Sequence, residues 1–261
     1  MIEPQNVMNN IMRVLNLRVV RAKQYDDLLE NLKIISNRNR VDRLFARMNP
    51  DLINAFEYPI ITSQLGQEIF VLSTLGLKRN GFFVEFGATD GISLSNTYVL
   101  ERHFGWTGIL AEPARNWHKA LTKNRLCDID FRCIYSSNGK IMFKETSLPE
   151  LSTISHFESG DLHANYRSSG EYYEVETITL SEFLKHHNAP VEIDYISIDT
   201  EGSELDILTE FDFSKYSVKT FTIEHNFTTS RSKIERLMKS KGYNRVFPEI
   251  SNFDDWYVLG D

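Results

Sequence analysis

The chain has 261 residues, of which 41% are hydrophobic and 25% charged, which is ordinary for a globular protein. Its net charge of −7 disfavours non-specific binding to nucleic acid. No apolar run reaches the roughly 18 residues of a membrane span, and the N-terminus lacks a signal-peptide pattern. The two cysteines, Cys127 and Cys133, are expected to be reduced thiols in a cytoplasmic protein.

Residues 1–57 are predicted to form a helical extension, followed by one domain over residues 58–261. The first 50 residues hold nine Lys or Arg against five Asp or Glu, a charge of +4 that leaves −11 on the remainder. One or two amphipathic helices are predicted from apolar residues at helical spacing, namely Val7, Ile11, Val14, Leu15, Leu28, Leu29, Leu32 and Ile35. Packing on the core is the simplest use of these helices, and a dimer contact or a lid are alternatives.

The segment before the first strand is polar and leads into a short helix over residues 68–75. Gln64 and Gln67 lie in it, either as surface residues or as contacts to a bound ligand. An apolar strand over residues 82–84 follows, and then a turn that runs from Glu85 to Gly91. Gly87 is expected to let the backbone turn tightly and approach a ligand, because glycine has no Cβ.

A helix capped by Ser93 or Ser95 is predicted to run to about residue 103, and a second apolar strand over residues 108–111 ends in Glu112. Two parallel strands joined by a helix, each with an acid at its tip, are typical of a nucleoside-binding half-site. Glu112 follows Glu85 by 27 residues and suits the two hydroxyls of a ribose, since a carboxylate accepts both hydrogen bonds.

The dinucleotide fingerprint G-x-G-x-x-G is a poor match to this turn. With Gly87 at the second glycine, Glu85 and Asp90 occupy the other two glycine positions. A carboxylate there repels a pyrophosphate but attracts an ammonium or a sulfonium group. The turn therefore favours S-adenosylmethionine over NAD.

The middle of the chain is predicted to continue with a helix over 116–124 and a third strand over 130–135 that ends at Ser136. Asn138-Gly139 is a strong hairpin signal before a strand over 140–146. Residues 147–172 show little periodicity, which is typical either of a lid or binding loop or of a mobile segment without function.

A β-rich run over 174–180 leads to a helix over 182–187, which Ser181 is expected to cap. His186 and His187 are placed on the solvent face of that helix. After the next strand, a helix over 231–241 and two closing strands near 243–247 and 256–259 are expected to complete the sheet.

A second group of polar residues follows two further predicted strands. The strand over 195–198 ends in Asp199 and Glu201, and the strand over 218–223 ends in Glu224, His225 and Asn226. Adjacent parallel strands end at one edge of a sheet, so these side chains are expected to face one pocket. They suit Mg²⁺ or Mn²⁺, a cationic ligand, or proton removal, with His225 as a base or else as an ordinary core histidine.

Five stretches, in this order, resemble the FkbM family of S-adenosylmethionine-dependent methyltransferases: VEFGATDGISLSNT, GILAEP, TITLSEFL, YISIDTEGSELDIL and TIEHN. The resemblance covers roughly residues 58–260. It implies the α/β class I methyltransferase fold, which is Rossmann-like, with helices on both faces of a seven-stranded, mostly parallel sheet. The implied strand order is 3-2-1-4-5-7-6, with strand 7 antiparallel.

The resemblance further implies an O-methyltransferase that acts on a hydroxyl of a small molecule or glycan, most of all a sugar in a glycan or glycoconjugate. The predicted cofactor contacts are Glu85, Gly87, Ala88, Asp90, Ser95, Asn96, Glu112, Pro113, Ser136 and Asp199. Asp199, His225 and Glu201 are the predicted catalytic groups, and Asp199 and Glu224 are the predicted ligands of a Mg²⁺ ion. An NAD-dependent nucleotide-sugar dehydrogenase or epimerase, and a non-catalytic cofactor-binding module, are the alternatives.

Overall fold

The computed structural model describes residues 22–54, 56, 61–146, 153–154 and 170–260. Its helices are α1 (Ala22–Met48), α2 (Gln67–Thr74), α3 (Tyr98–Phe104), α4 (Arg115–Asn124), α5 (Leu180–His186), α6 (Glu204–Glu210) and α7 (Arg231–Ser240), with a 3₁₀ turn at Pro50–Leu52. Its strands are β1 (Phe82–Phe86), β2 (Thr107–Ala111), β3 (Asp128–Asp130), β4 (Cys133–Ile134), β5 (Gly139–Thr146), β6 (Thr153–Ile154), β7 (Gly170–Ile178), β8 (Glu192–Ile198), β9 (Ser217–Glu224), β10 (Tyr243–Val246) and β11 (Asp254–Leu259).

Seven of these strands form one sheet in the order β3-β2-β1-β8-β9-β11-β10. All neighbours are parallel except at β11, which runs antiparallel to both β9 and β10. Counted along this sheet's own strands, the order is the one that the sequence predicts. The predicted fold class is therefore confirmed, including the single antiparallel strand.

Helices cover both faces of this sheet because successive strand residues point to opposite sides. Val84 and Ile196 lie in an apolar cluster with residues of α5, α6 and α7. Phe83 and Tyr195 lie in a second cluster, with residues of α1 to α4. The register sets Val84 level with Ile109 and Ile196, so the carboxyl ends of β1, β2 and β8 lie side by side.

A second, four-stranded sheet has the order β4-β7-β5-β6, and here two sequence predictions are wrong. The predicted strand over 130–135 is split, because β3 ends at Asp130 and β4 pairs with β7 in the other sheet. The turn at Asn138-Gly139 does not form the predicted hairpin, because β5 pairs antiparallel with β7 along its whole length. Residues 147–152 and 155–169 lie outside the described chain.

The break after β3 has a local cause. Asp130 Oδ1 accepts a hydrogen bond from the backbone N–H of Arg132 at 2.9 Å, which turns the chain within two residues. The Arg132 side chain returns to the same carboxylate, with Nε 3.0 Å from Oδ1. The helix after β7 also starts earlier than predicted, because Thr179 rather than Ser181 accepts the capping hydrogen bond from the Glu182 N–H.

Helix α1 packs on the sheet through its C-terminal half. Val41, Leu44 and Phe45 are buried in the apolar cluster that also holds α2 to α4. Leu32 and Ile35 are 52% and 55% exposed, so these two residues of the predicted apolar stripe do not belong to the packing face. The predictions for residues 1–21 fall outside the described residues. In the part of the chain that the structure describes, no helix has the length and apolar character needed to cross a bilayer.

Candidate active site

A cavity of about 270 Å³ opens at the carboxyl ends of β1, β2, β8 and β9. Its lining comprises Gln64, Glu85, Phe86, Gly87, Thr89, Leu94, Asn96, Ala111, Glu112, Pro113, Cys133, Ile134, Phe143, Ile154, Asp199, Thr200, Glu201, Glu224, Asn226, Phe227 and Phe253. This edge is where ligands bind in open α/β sheets. Both groups of polar residues predicted from the sequence therefore contribute to one cavity.

Glu85, at the tip of β1, organises the loop that follows the turn. One carboxylate oxygen accepts the Asn96 N–H at 2.6 Å, and the other accepts the hydroxyls of Ser95 and Thr97. Its side chain is almost fully buried, and the Arg125 guanidinium lies 3.6 Å away. Glu85 thus lines the cavity with a carboxylate whose hydrogen-bonding capacity is largely used by the protein.

Gly87 occupies a position that no other residue fits. Its φ is +73°, and a Cβ added there would lie 2.2 Å from the backbone oxygen of Asp199. Asp90 shapes the same turn, because its Oδ1 accepts the N–H groups of Ile92 and Ser93 at 2.8 and 2.7 Å. Asp90 itself does not line the cavity.

Glu112, at the tip of β2, is a buried acceptor held in place by the backbone. Oε2 accepts the Thr89 N–H at 2.8 Å, and Oε1 accepts the Ala114 N–H at 2.9 Å. Each oxygen keeps a second lone pair for a ligand. Burial raises the pKa of this carboxyl to about 7, although the two hydrogen bonds act in the opposite direction.

Three carboxylates converge at the tips of β8 and β9. One oxygen from each of Asp199, Glu201 and Glu224 lies within 4.8 Å of the others. The register places Ile198 opposite Ile223, so the next residues, Asp199 and Glu224, face each other.

The protonation of this group is set mainly by burial. Burial raises the pKa of Asp199 to about 7, although one edge of the residue stays open to the cavity. Burial and the neighbouring Asp199 also raise the pKa of Glu224 well above its usual value, so the two adjacent carboxyls hold a shared proton more firmly than isolated carboxyls would. Carboxylates held together in this way can bind a cation or accept a proton.

His225 faces away from the cavity. Its Nδ1 accepts the Phe227 N–H at 3.0 Å, and its Nε2 lies 3.7 Å from Asp255 Oδ1. Asp255 is in turn paired with Arg231 at 2.8 Å. Burial lowers the pKa of His225. The structure therefore gives this histidine no contact with the cavity, and we do not retain it as a base.

Of the remaining predicted residues, some line the cavity and others do not. Asn96 and Pro113 line the cavity, whereas Ala88, Ser95 and Ser136 do not. Asn96 donates to Ser197 Oγ at 2.8 Å, and its buried Oδ1 has no hydrogen-bond partner among the described residues. Gln64 also lines the cavity, while Gln67 donates to Asp254 at 2.8 Å instead.

Two parts of the site were missed by sequence reasoning. Cys133, Ile134, Phe143 and Ile154 form an apolar wall that comes from the second sheet. Arg125 lies beneath the turn, with Nε 2.7 Å from Glu101 and Nη1 3.1 Å from Ser95 Oγ. The alternation of β5 is a signal for Phe143, but nothing local in the sequence indicates the position of Arg125.

The sequence profile described as "Methyltransferase FkbM domain" matches residues 85–245, well over half of the chain. The chain belongs to the FkbM methyltransferase family. It is therefore an S-adenosylmethionine-dependent methyltransferase, and the dehydrogenase alternative loses its support. No curated protein matches the sequence.

Among solved structures, one match is titled "Crystal structure of a SAM dependent methyltransferase from Aquifex aeolicus". This match has 10% sequence identity, covers 84% of this chain and 97% of that chain, and has a TM-score of 0.35. Similarity at that level adds nothing to the assignment, which rests on the family match.

The buried carboxyl of Asp254 is expected to make the stability of this FkbM methyltransferase depend on pH. Burial, and then the charge of Asp199, raise the pKa of Asp254 from 3.8 to about 8. When the pKa of a carboxyl is higher in the folded state, proton binding favours folding. This contribution is fully present below the pKa of the unfolded state and is lost as the pH rises through the pKa of the folded state. We expect the melting temperature to decline between about pH 4 and pH 8, and less steeply in Asp254→Asn. Equal slopes in both proteins would contradict this, and Asp206→Asn, outside the cavity, is the control.

Proposed function

We propose that this enzyme transfers a methyl group to a hydroxyl oxygen, and that the acceptor is a sugar of a glycan or glycoconjugate. One observation carries the proposal: Asp199, Glu201 and Glu224 converge at one end of the cavity, with the pKa of Asp199 near neutrality. A neutral hydroxyl is a weak nucleophile and needs a group that removes its proton. Carboxylates that are poised between charged and neutral at pH 7 suit that task.

The residues of the cavity fit S-adenosylmethionine. Glu112 has one free lone pair on each oxygen for the two ribose hydroxyls. The unpartnered Oδ1 of Asn96 suits an ammonium group, and the absence of a Cβ at Gly87 leaves room beside Asp199. Pro113 and the apolar wall suit the flat adenine base of the cofactor. When bound, this cofactor supplies an electrophilic methyl group on a sulfonium.

In this proposal Asp199 accepts the proton of the acceptor hydroxyl. Its carboxyl lies at the cavity and is within reach of Glu224, which keeps the shared proton and so limits repulsion between the two. Glu201 is held by Asn226 Nδ2 at 3.3 Å and adds negative charge beside the proton acceptor. The remaining rate enhancement comes from holding the acceptor and the methyl donor in position in a site shielded from water.

A divalent cation is the second role that the three carboxylates support. Oxygen ligands suit Mg²⁺, with Asp199 and Glu224 as the proposed ligands and Glu201 as a further one. A cation there would lower the pKa of an acceptor hydroxyl directly. Turnover that stops on chelation and returns with Mg²⁺ would favour this version over unaided proton removal by Asp199.

The mouth of the cavity supports a sugar as acceptor. Phe227 is 56% exposed and Leu94 is 44% exposed, and both line the cavity with positive φ values. Strained backbone of this kind is often retained at binding sites. An exposed aromatic ring beside carboxylates offers a face for the C–H groups of a sugar and acceptors for its hydroxyls. A cytoplasmic location and a homo-oligomer formed through the N-terminal helices stay predictions.

The test is a methylation assay with a labelled methyl donor and a panel of glycosides, phenols and amines. We expect label on a hydroxyl oxygen of a glycoside, located by mass spectrometry and NMR. Label on nitrogen would contradict the proposed chemistry, and label on phenols alone would contradict the proposed acceptor class.

Substitution of Glu112 by glutamine tests the cofactor part of the proposal. An amide cannot accept both the Thr89 and the Ala114 N–H groups, and it offers a ribose one acceptor fewer. We expect the affinity for S-adenosylhomocysteine to fall by about 10-fold to 100-fold in calorimetric titration. The surface variant Glu182→Gln should bind like the unmodified protein. Unchanged binding by Glu112→Gln would remove Glu112 from the cofactor site.

A further inference from the structure

A second, open cavity of about 580 Å³ lies on the other side of the end of β3. It is lined in part by Asp130, His186 and His187, and it shares only Pro113 with the methyl-transfer cavity. His186 ends helix α5, and His187 follows it. Neither histidine has a role in the proposed methyl transfer.

The side chains of these three residues have the spacing of a metal site. One ring nitrogen from each histidine and one Asp130 oxygen lie within 4.8 Å of one another. His187 Nε2 is 2.9 Å from Asp130 Oδ2. Two ligands bound to one tetrahedral Zn²⁺ lie roughly 3.3 Å apart, so only a small shift is needed to admit the ion. His187 was predicted on the solvent face of its helix, whereas its side chain is only 14% exposed.

We propose that Asp130, His186 and His187 form a binding site for a late first-row divalent cation, with Zn²⁺ as its representative. Two imidazoles and one carboxylate are the ligand set that such ions prefer over Mg²⁺. Solvent in the open cavity completes the coordination. The site is separate from the carboxylates of the methyl-transfer cavity, which offer only oxygen.

The surroundings of the three ligands match those of bound metals. His187 Nδ1 faces Asp128 Oδ2 at 3.7 Å, so one ring nitrogen points at a carboxylate while the other points at the proposed ion. Arg132 holds Asp130 with Nε at 3.0 Å from Oδ1, as outer partners hold ligating carboxylates. The Arg132 charge opposes a cation, and it is offset by the carboxylate of Glu176 at the same cavity and by that of Asp128 beside His187.

The proposed site is coupled to the cofactor cavity through the backbone. The carbonyl oxygen of Asp130 accepts the Glu112 N–H at 3.0 Å. An ion on the Asp130 side chain therefore fixes the strand end against which Glu112 is held. A bound metal is expected to stabilise the fold, because it binds the folded state and not the separated ligands.

The experiment uses the full chain, stripped of metal with a chelator and titrated with Zn²⁺ and Co²⁺. We expect one Zn²⁺ per chain at this site and a Co²⁺ complex with the strong visible absorption of four- or five-coordinate nitrogen ligation. His186→Gln and His187→Gln should each weaken Zn²⁺ binding by more than about 10-fold. Zn²⁺ should raise the melting temperature of the unmodified protein and not that of the double variant.

Two controls separate this site from the rest of the molecule. Glu201→Gln alters the oxygen-only group, and His103→Gln removes a histidine elsewhere; both should keep the Zn²⁺ affinity. His186 is exposed, so its replacement leaves the contact between His187 and Asp130 in place and the fold intact. The proposal is overturned if the unmodified chain binds no Zn²⁺, if both histidine variants bind it equally well, or if Glu201→Gln alone loses it.

Discussion

Asp199→Asn is expected to lower kcat for methyl transfer by about 10²-fold to 10⁴-fold, the usual contribution of a proton-transfer group. The amide has the shape of the carboxyl but cannot accept the hydroxyl proton. Because burial raises the pKa of Asp199 to about 7, kcat/KM of the unmodified enzyme should rise with pH through about 7 and then level off. The variant should lack this rise. The measurement is the rate of S-adenosylhomocysteine release with an accepted glycoside.

The matched control is Asp206→Asn on α6, which makes the same chemical change outside the cavity lining. It should keep the rate and the pH profile. Binding of S-adenosylhomocysteine to Asp199→Asn should stay within a few-fold of normal, which separates loss of chemistry from loss of the site. A variant that keeps near-normal kcat would remove Asp199 from the proposed mechanism.

Arg125→Met is expected to cost about 3–5 kcal/mol of folding free energy, because it leaves buried carboxylates without their counter-charge. The Arg125 side chain is fully buried, 2.7 Å from Glu101 and 3.6 Å from Glu85, and it also donates to the Gly91 carbonyl at 3.2 Å. The midpoint of urea unfolding measures this loss. The loop that Glu85 holds should also loosen, so cofactor affinity is expected to fall in the same variant.

Arg102→Met serves as the comparison, since Arg102 lies on the exposed side of α3. It should change the unfolding free energy by less than about 0.5 kcal/mol. If Arg125→Met unfolded at the same urea concentration as the unmodified protein, the buried ion pairs of Arg125 with Glu85 and Glu101 would not stabilise the fold as proposed.

Local sequence signals indicated most strands of the main sheet, and the family resemblance supplied their order. Gly87 has a positive φ, which is the conformation that glycine in such a turn indicates. Glu112 directly follows a short apolar strand, which indicates its position at the strand end. The second sheet could not be predicted in the same way. The pairing of β5 with β7 joins strands that are separated in the chain by residues 147–169, and short-range turn chemistry at Asn138-Gly139 pointed to the wrong partner.

The placement of His225 was within reach of sequence reasoning. Glu224 ends β9 with its carboxyl in the cavity, and successive strand residues point to opposite sides. The same alternation would have turned the next residue away, whereas the sequence prediction placed His225 in the pocket. The His225 ring lies near Asp255 instead. Arg125 is different, because its partners Glu85 and Glu101 are distant in the chain and only the packing of α4 brings them together.

The most direct test of the cofactor cavity is a calorimetric titration of the full chain with S-adenosylmethionine, S-adenosylhomocysteine and NAD, with and without Mg²⁺. We expect the first two to bind one per chain, and NAD to give no heat because the Glu85 carboxylate lines the cavity where a dinucleotide site has a glycine. Binding of NAD in this cavity, with no binding of S-adenosylhomocysteine, would contradict the account.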